Sequence, residues 1–290
     1  MRTTRIVLLT VACGLLAGPL HADKRVDDAV AKAEEQIQKG KPEEAVKTIQ
    51  KLVSQPSAEA FTAAARLQVR MGKVEEAAQS AAKAVELAAS ATPDVKAAAY
   101  ATLSGLDLLR GTGKDAAANA QKAVEAQASA VALAALARAQ VRTGDAPGAV
   151  PVAEKAVAAG ASSADAHEAL GQALLASGKT AEAQAAFAKA LSLDPKMTAA
   201  RVGTARALLA QNKVAEAVAE ARKATEESPN DGDAFATLGL AVLAQGNWAE
   251  AISSAQEGKF KNERNVVVLT AVGKIFEDPK GGNLQQATAA

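Results

Sequence analysis

The chain has 290 residues, 33 of them Lys or Arg and 32 Asp or Glu, with one cysteine and only 2% aromatic residues. So even a charge balance gives no polyanion-binding signature, and nucleic acid is not an expected partner. One cysteine and two histidines are too few for a disulfide framework or a thiolate metal site, and no cofactor is expected.

Residues 1–22 contain Arg2 and Arg5 but no acid. They carry an apolar run at 6–18, then Pro19 and Leu20-His21-Ala22, before charged sequence starts at Asp23. The run has the length of a signal-peptide core and is too short to span a bilayer. A cleaved secretory signal at 1–22 and a periplasmic location are expected. Leu20 stands where a small residue is preferred, which leaves a retained membrane anchor as the alternative. A lipoprotein through Cys13 is a further alternative, against which Thr10 fills the place of the usual leucine. Cleavage removes two of the 33 cations, leaving 31 against 32 acids and a net charge of −1, and it removes the only cysteine.

Beyond residue 22 the chain is rich in alanine, lysine, glutamate and glutamine, the strongest helix formers, and β-branched alternation is almost absent. The body is predicted to be all helix. A glycine recurs at Gly40, Gly72, Gly111, Gly144, Gly178 and Gly246, with Asn212 holding the sixth place in the series. The last four spacings are 33, 34, 34 and 34, and an alanine follows five residues after each: Ala45, Ala77, Ala116, Ala149, Ala183, Ala217 and Ala251. A fixed period of this size predicts an array of repeated helical hairpins. Glycine or asparagine supplies the left-handed conformation that ends the first helix of each pair.

In the cleanest unit, 164–197, Leu170 and Leu174 share one helix face, as do Ala183 and Phe187, and Pro195 ends the unit. Its Leu170-Gly171, Ala183, Phe187 and Pro195 follow the W-x2-L-G-x2-Y … A-x3-F … P pattern, with His167 in the tryptophan position. The chain therefore resembles the tetratricopeptide repeat family. Seven units lie in phase: 26–57, 58–96, 97–129, 130–163, 164–197, 198–231 and 232–265. The resemblance implies an all-α, right-handed solenoid of helix–turn–helix repeats. Large residues of the family's pattern are often alanine here, which implies closer helix packing and shallower pockets. The second unit carries about five extra residues at 89–95, expected to lengthen a helix or loop out.

Acids at the start of six of the seven second helices (Glu44, Glu76, Asp115, Glu182, Glu216, Glu250) and lysines toward their ends suit the helix dipole and read as a solvated face. His167 reads as a packing residue. Gly111-Thr112-Gly113-Lys114 is in phase with the helix-ending glycines and lacks the strand and second half of a phosphate loop. No catalytic motif is present, and an enzyme is not expected.

Members of the resembled family line their concave groove with the first helix of each unit and hold partners there. The ninth position of the seven units reads Glu34, Arg66, Gly105, Arg138, Gln172, Arg206 and Leu240. Four residues later come Gln38, Arg70, Leu109, Arg142, Ala176, Ala210 and Ala244. Arg66, Arg70, Arg138, Arg142 and Arg206 are the candidate partner-binding residues, a mildly basic groove for an acidic segment of another protein. The competing reading pairs them with Glu59, Asp165 and Glu168. The family's lysine–asparagine clamp for a C-terminal carboxylate is not reproduced at these positions.

Residues 266–277 read as one apolar capping helix. Val267, Leu269, Val272 and Phe276 form a candidate interface that either buries on the seventh unit or supports self-association. Residues 278–290 read as a polar, disordered tail. The function expected is a non-catalytic scaffold or adaptor of the bacterial cell envelope. The alternatives are a membrane-tethered adaptor of an assembly or secretion complex and an accessory protein for a small ligand or glycan.

Overall fold

The computed structural model of the chain describes residues 23–229, 231–261, 270–271 and 273–275. The expected signal with Cys13, the tail at 278–290, and the four candidate interface residues Val267, Leu269, Val272 and Phe276 lie outside the described residues.

The described chain is all-α and forms seven successive hairpins. These are α1 (Lys24–Gln38) with α2 (Pro42–Val53), α3 (Ala58–Arg70) with α4 (Val74–Leu87), and α5 (Pro93–Leu109) with α6 (Gly113–Ala126). Then come α7 (Ala130–Thr143) with α8 (Ala146–Ala159), α9 (Ala164–Ala176) with α10 (Thr180–Leu193), α11 (Thr198–Ala210) with α12 (Val214–Glu227), and α13 (Gly232–Ala244) with α14 (Trp248–Lys261). The extra residues after α4 fold as a 3-10 turn, Ala88–Ser90, and as added length at the start of α5.

Local chemistry sets both ends of the first helices. Ser57, Ser129 and Ser163 each accept a hydrogen bond from the backbone N–H three residues on, capping α3, α7 and α9. At the other end all six recurring glycines, and Asn212, have positive φ, between 59° and 91°. The next residue then closes its N–H onto the carbonyl five positions back, at 2.9 Å in all seven hairpins. That bond pays the helix's orphan carbonyl and aims the chain into the second helix.

Packing uses the positions that the repeat marked. The alanine five residues after each turn is fully buried in all seven units. The facing small position holds Ala33, Ala65, Ser104, Ala137, Gly171, Ala205 and Gly239, every one of them buried. Ser104 adds a bond to this contact, its hydroxyl donating to Ala116 O at 2.8 Å. Gly258 on α14 lets the backbone of α13 approach, since a Cβ there would lie 3.1 Å from Gly232 O.

The fifth unit departs from the alanine rule. Phe187 is fully buried, and its ring fills space left by Gly171 on α9 and Gly203 on α11. A Cβ on either glycine would come within 2.5 Å of the ring. One large side chain is thus accommodated by removing two small ones, one in its own unit and one in the next. At the C-terminal end Ile275 is fully buried with Ala271 against Leu238, Val242, Ala251 and Ala255, so the chain folds back onto the seventh unit there.

Gly203→Ala is expected to lower stability by about 1–3 kcal/mol through overpacking against Phe187, although alanine is favoured over glycine in a helix by about 1 kcal/mol. Phe187→Leu in the same background should recover part of that loss. Urea unfolding followed by circular dichroism measures both.

Candidate partner-binding groove

Each first helix packs on the first helix of the next unit, from α1 through α13, and together they form one wall. Charges on this wall reach beyond adjacent units. The carboxylate of Asp165 on α9 acts on Arg66 on α3, and Asp233 on α13 acts on Arg142 on α7, three units apart in both cases. Such reach requires the inner side of a curved stack, so the first helices line the concave face.

The five arginines named from the spacing meet different surroundings on that face. Arg138 is buried. Its Nε donates to Glu168 Oε2 at 2.8 Å and its Nη2 to Asp165 Oδ1 at 3.0 Å and Asp165 O at 3.1 Å. Both acids belong to the following unit and are themselves buried. Burial alone would lower the Arg138 pKa, but Glu168 and Asp165 hold it above the ordinary arginine range. Burial pushes Glu168 upward, with Asp165 adding to the push and Arg138 offsetting part of it. Arg138 therefore serves first as a strut between units four and five, in place of the open groove arginine that its spacing suggested.

Arg206 repeats this geometry one pair further on. Its Nε donates to Thr237 Oγ1 at 3.0 Å and its Nη2 lies 3.6 Å from Asp233 Oδ2, both on α13. Arg142 sits nearby; burial lowers its pKa, Asp233 opposes and Arg206 adds to the lowering. Arg70 forms an ion pair with Glu34 of the first unit. Arg66 differs from the others. Its Nε is enclosed without a hydrogen-bond partner. Loss of water pulls its pKa down to about 10, against only the field of Asp165.

Two features of the wall were not singled out from sequence. Asp231 caps α13, its Oδ1 accepting from Asp233 N at 2.9 Å and Ala234 N at 3.3 Å. Burial first, and the neighbouring Asp233 second, push its pKa up to about 7. An acid two residues ahead of another at a helix start was the available signal. Arg201 occupies the repeat's tryptophan position. It is pinned by Glu227 at 2.8 Å, Glu220 at 3.1 Å and Pro195 O at 2.9 Å. A charged residue in an aromatic position was the signal there.

The other candidate residues are structural. His167 Nε2 donates to Ala161 O at 3.0 Å. Phe61 and Tyr100 pack against alanine-rich clusters, and Lys122 stands 5.6 Å from the centre of the Tyr100 ring. Among the described residues no group of three or more His, Cys, Asp or Glu is arranged to hold a metal, and no helix is long and apolar enough to cross a membrane.

Sequence profiles of the tetratricopeptide repeat match residues 30–92 and 134–198, and a second such profile matches 174–238, more than half of the chain. The chain belongs to the tetratricopeptide repeat family. No curated protein sequence matches it. Among solved structures, a tetratricopeptide repeat protein from Parabacteroides merdae is 18% identical with a TM-score of 0.54, over 88% of this chain and 100% of that one. The Cut9–Hcn1 hetero-tetramer of the APC/C is 15% identical with a TM-score of 0.59, over 87% of this chain but 49% of that one, so this chain spans about half its length. Human IFIT1, solved as a dimer with PPP-AAAA, is 16% identical with a TM-score of 0.61, over 91% and 71%. These likenesses establish the tetratricopeptide solenoid. Membership of the family makes the array a protein-interaction scaffold in general type, and chains of this family are generally non-catalytic.

Two outcomes follow from the wall's electrostatics. Arg138→Ala leaves Glu168 buried without its counter-ion and is expected to cost about 3–5 kcal/mol, read from urea unfolding. For Asp231 the folded pKa of about 7 stands above the ordinary 3.8, so the folded state alone holds the proton between those values. Stability should fall as pH rises across that window. Asp231→Asn keeps the cap without the charge, and its melting temperature should fall less over the same range.

Proposed function

We propose that the chain is a non-catalytic adaptor of the bacterial cell envelope that is exported by its first 22 residues and holds segments of other proteins against the concave wall. The observation that carries this reading is the division of labour along the first helices. The contact positions are almost all alanine and buried, so they are spent on packing. The ninth and thirteenth positions vary from unit to unit and carry five arginines on the inner side. An acidic or mixed-charge segment suits that wall, because guanidinium forks bind carboxylates at two points.

Export is supported by the basic start, the short apolar run at 6–18, and the absence of cysteine from residue 23 onward. Without cysteine the exported chain has no thiol to oxidise or mispair in an oxidising compartment. Envelope assembly, secretion or surface machinery are the contexts in which such an adaptor would work.

The absence of cysteine after residue 22 also makes the test clean. A single cysteine bearing a photo-crosslinker is placed at Leu109 on the inner wall, or at Lys83 on a second helix, in cells exporting the protein. Discrete protein adducts from Leu109 but not from Lys83 are expected, on a chain whose first residue is Asp23 by N-terminal sequencing. Equal adducts from both positions would remove the groove from the reading, and an intact Met1 would replace export and release by tethering.

A further inference from the structure

Arginines at the ninth position of units two, four and six are equivalent by repeat: Arg66, Arg138 and Arg206. For two of them the next unit supplies the counter-group. Asp165 and Glu168 meet Arg138, and Asp233 and Thr237 meet Arg206. The offsets are 27 residues to Asp165 and Asp233, 30 to Glu168 and 31 to Thr237. Unit two is about five residues longer, so the equivalent places opposite Arg66 fall on Ala98, Ala101 and Thr102.

Both acids are thus missing where Arg66 would need them. The consequences are visible on each side of the gap. Arg66 Nε is enclosed with no partner, and so is Thr102 Oγ1, a hydroxyl on a side chain only 3% exposed. Even in the arrangement of Arg206, with Nε given to the threonine, the terminal nitrogens of Arg66 would find no acid on the next unit, because Ala98 stands where Asp233 does, and only the field of Asp165 from unit five reaches them. Beside this gap the wall is floored by small residues, Ala98, Ala101 and Gly105, where unit five carries Asp165, Glu168 and Gln172.

A guanidinium that is only partly exposed, with its Nε enclosed and no acceptor beside it, costs free energy until an acceptor arrives. Resting on the groove reading above, we infer that the partly exposed guanidinium of Arg66, beside the gap at Ala98, forms the carboxylate-docking point of the array, filled by a glutamate or aspartate side chain of an extended partner segment. The occupant's carboxylate takes the place that Asp165 holds opposite Arg138, accepting from the terminal nitrogens of Arg66. Its flanking backbone runs along the wall beside the partly exposed Ala98. Arg138 and Arg206, already matched from within, hold the wall's curvature and do not select the partner.

The test uses a ten-residue poly-glutamate peptide, with poly-glutamine of equal length as control, titrated calorimetrically into the full exported chain at physiological salt. The expected result is binding of poly-glutamate alone, weakened about tenfold or more in Arg66→Gln. Ala98→Asp restores the missing internal acid; it should weaken binding as much while raising the melting temperature, which shows that the loss is not unfolding. Binding unchanged in both variants would overturn the assignment. If binding instead falls only in Arg142→Gln, the docking point is wrong but the groove reading survives. If poly-glutamate does not bind the unmodified chain, carboxylate docking at Arg66 is overturned, whereas the groove reading still answers to the crosslinking pattern.

Discussion

The array depends on how closely two helices can approach when almost nothing stands between them. In each hairpin an alanine on the second helix meets an alanine, serine or glycine on the first, and every one of these residues is buried. Methyl-sized contacts contribute little area each, so cohesion comes from many short-range dispersion contacts at high density rather than from a few large side chains. The same thinness leaves little tolerance for added volume, as the 2.4 Å approach of the Phe187 ring to a Cβ on Gly203 indicates.

The charged residues of the inner wall are organised around the same scaffold. Where a unit supplies acids at its start, the arginine of the preceding unit is drawn into a buried or half-buried pair, as with Arg138 and Arg206. Such pairs offset a large desolvation cost and fix how one unit sits on the next more than they add stability. The face is therefore less basic to a visitor than a count of its arginines suggests. What distinguishes one stretch of wall from another is whether the neighbouring unit has already answered its charge.

Much of this was legible in the sequence because a repeat converts spacing into contact. The glycine period gave all seven left-handed turns, and the aligned small positions gave the buried interface. The pairing of Arg138 with Asp165 and Glu168 was foreseeable as an alternative to partner binding, since both acids lie near one repeat length away. The solvation of Arg66 was not legible, because the five added residues in unit two shift which side chains oppose it. Nor was the reach of Asp165 and Asp233 across three units, which follows from accumulated curvature and from no local pattern. The partnership of Phe187 with Gly203 was hidden for a similar reason. Gly203 is unremarkable in its own unit and is explained only by a ring in the unit before.

That ring gives the array an uneven mechanical character. Most joints between units are made of alanine contacts, each resembling the next. The joint between units five and six has an aromatic side chain wedged between helices of both, with no room on either side. In a one-dimensional stack each unit is held only by its neighbours, so the joints can differ in strength. The joint just before this one, between units four and five, packs α7 and α8 closely on α9 and buries Arg138 against Asp165 and Glu168. A pull applied through a partner at one end of the groove would therefore load the joints unequally, and α7 to α12, tied by the Arg138 pairs and the Phe187 ring, would stay together as the residual core.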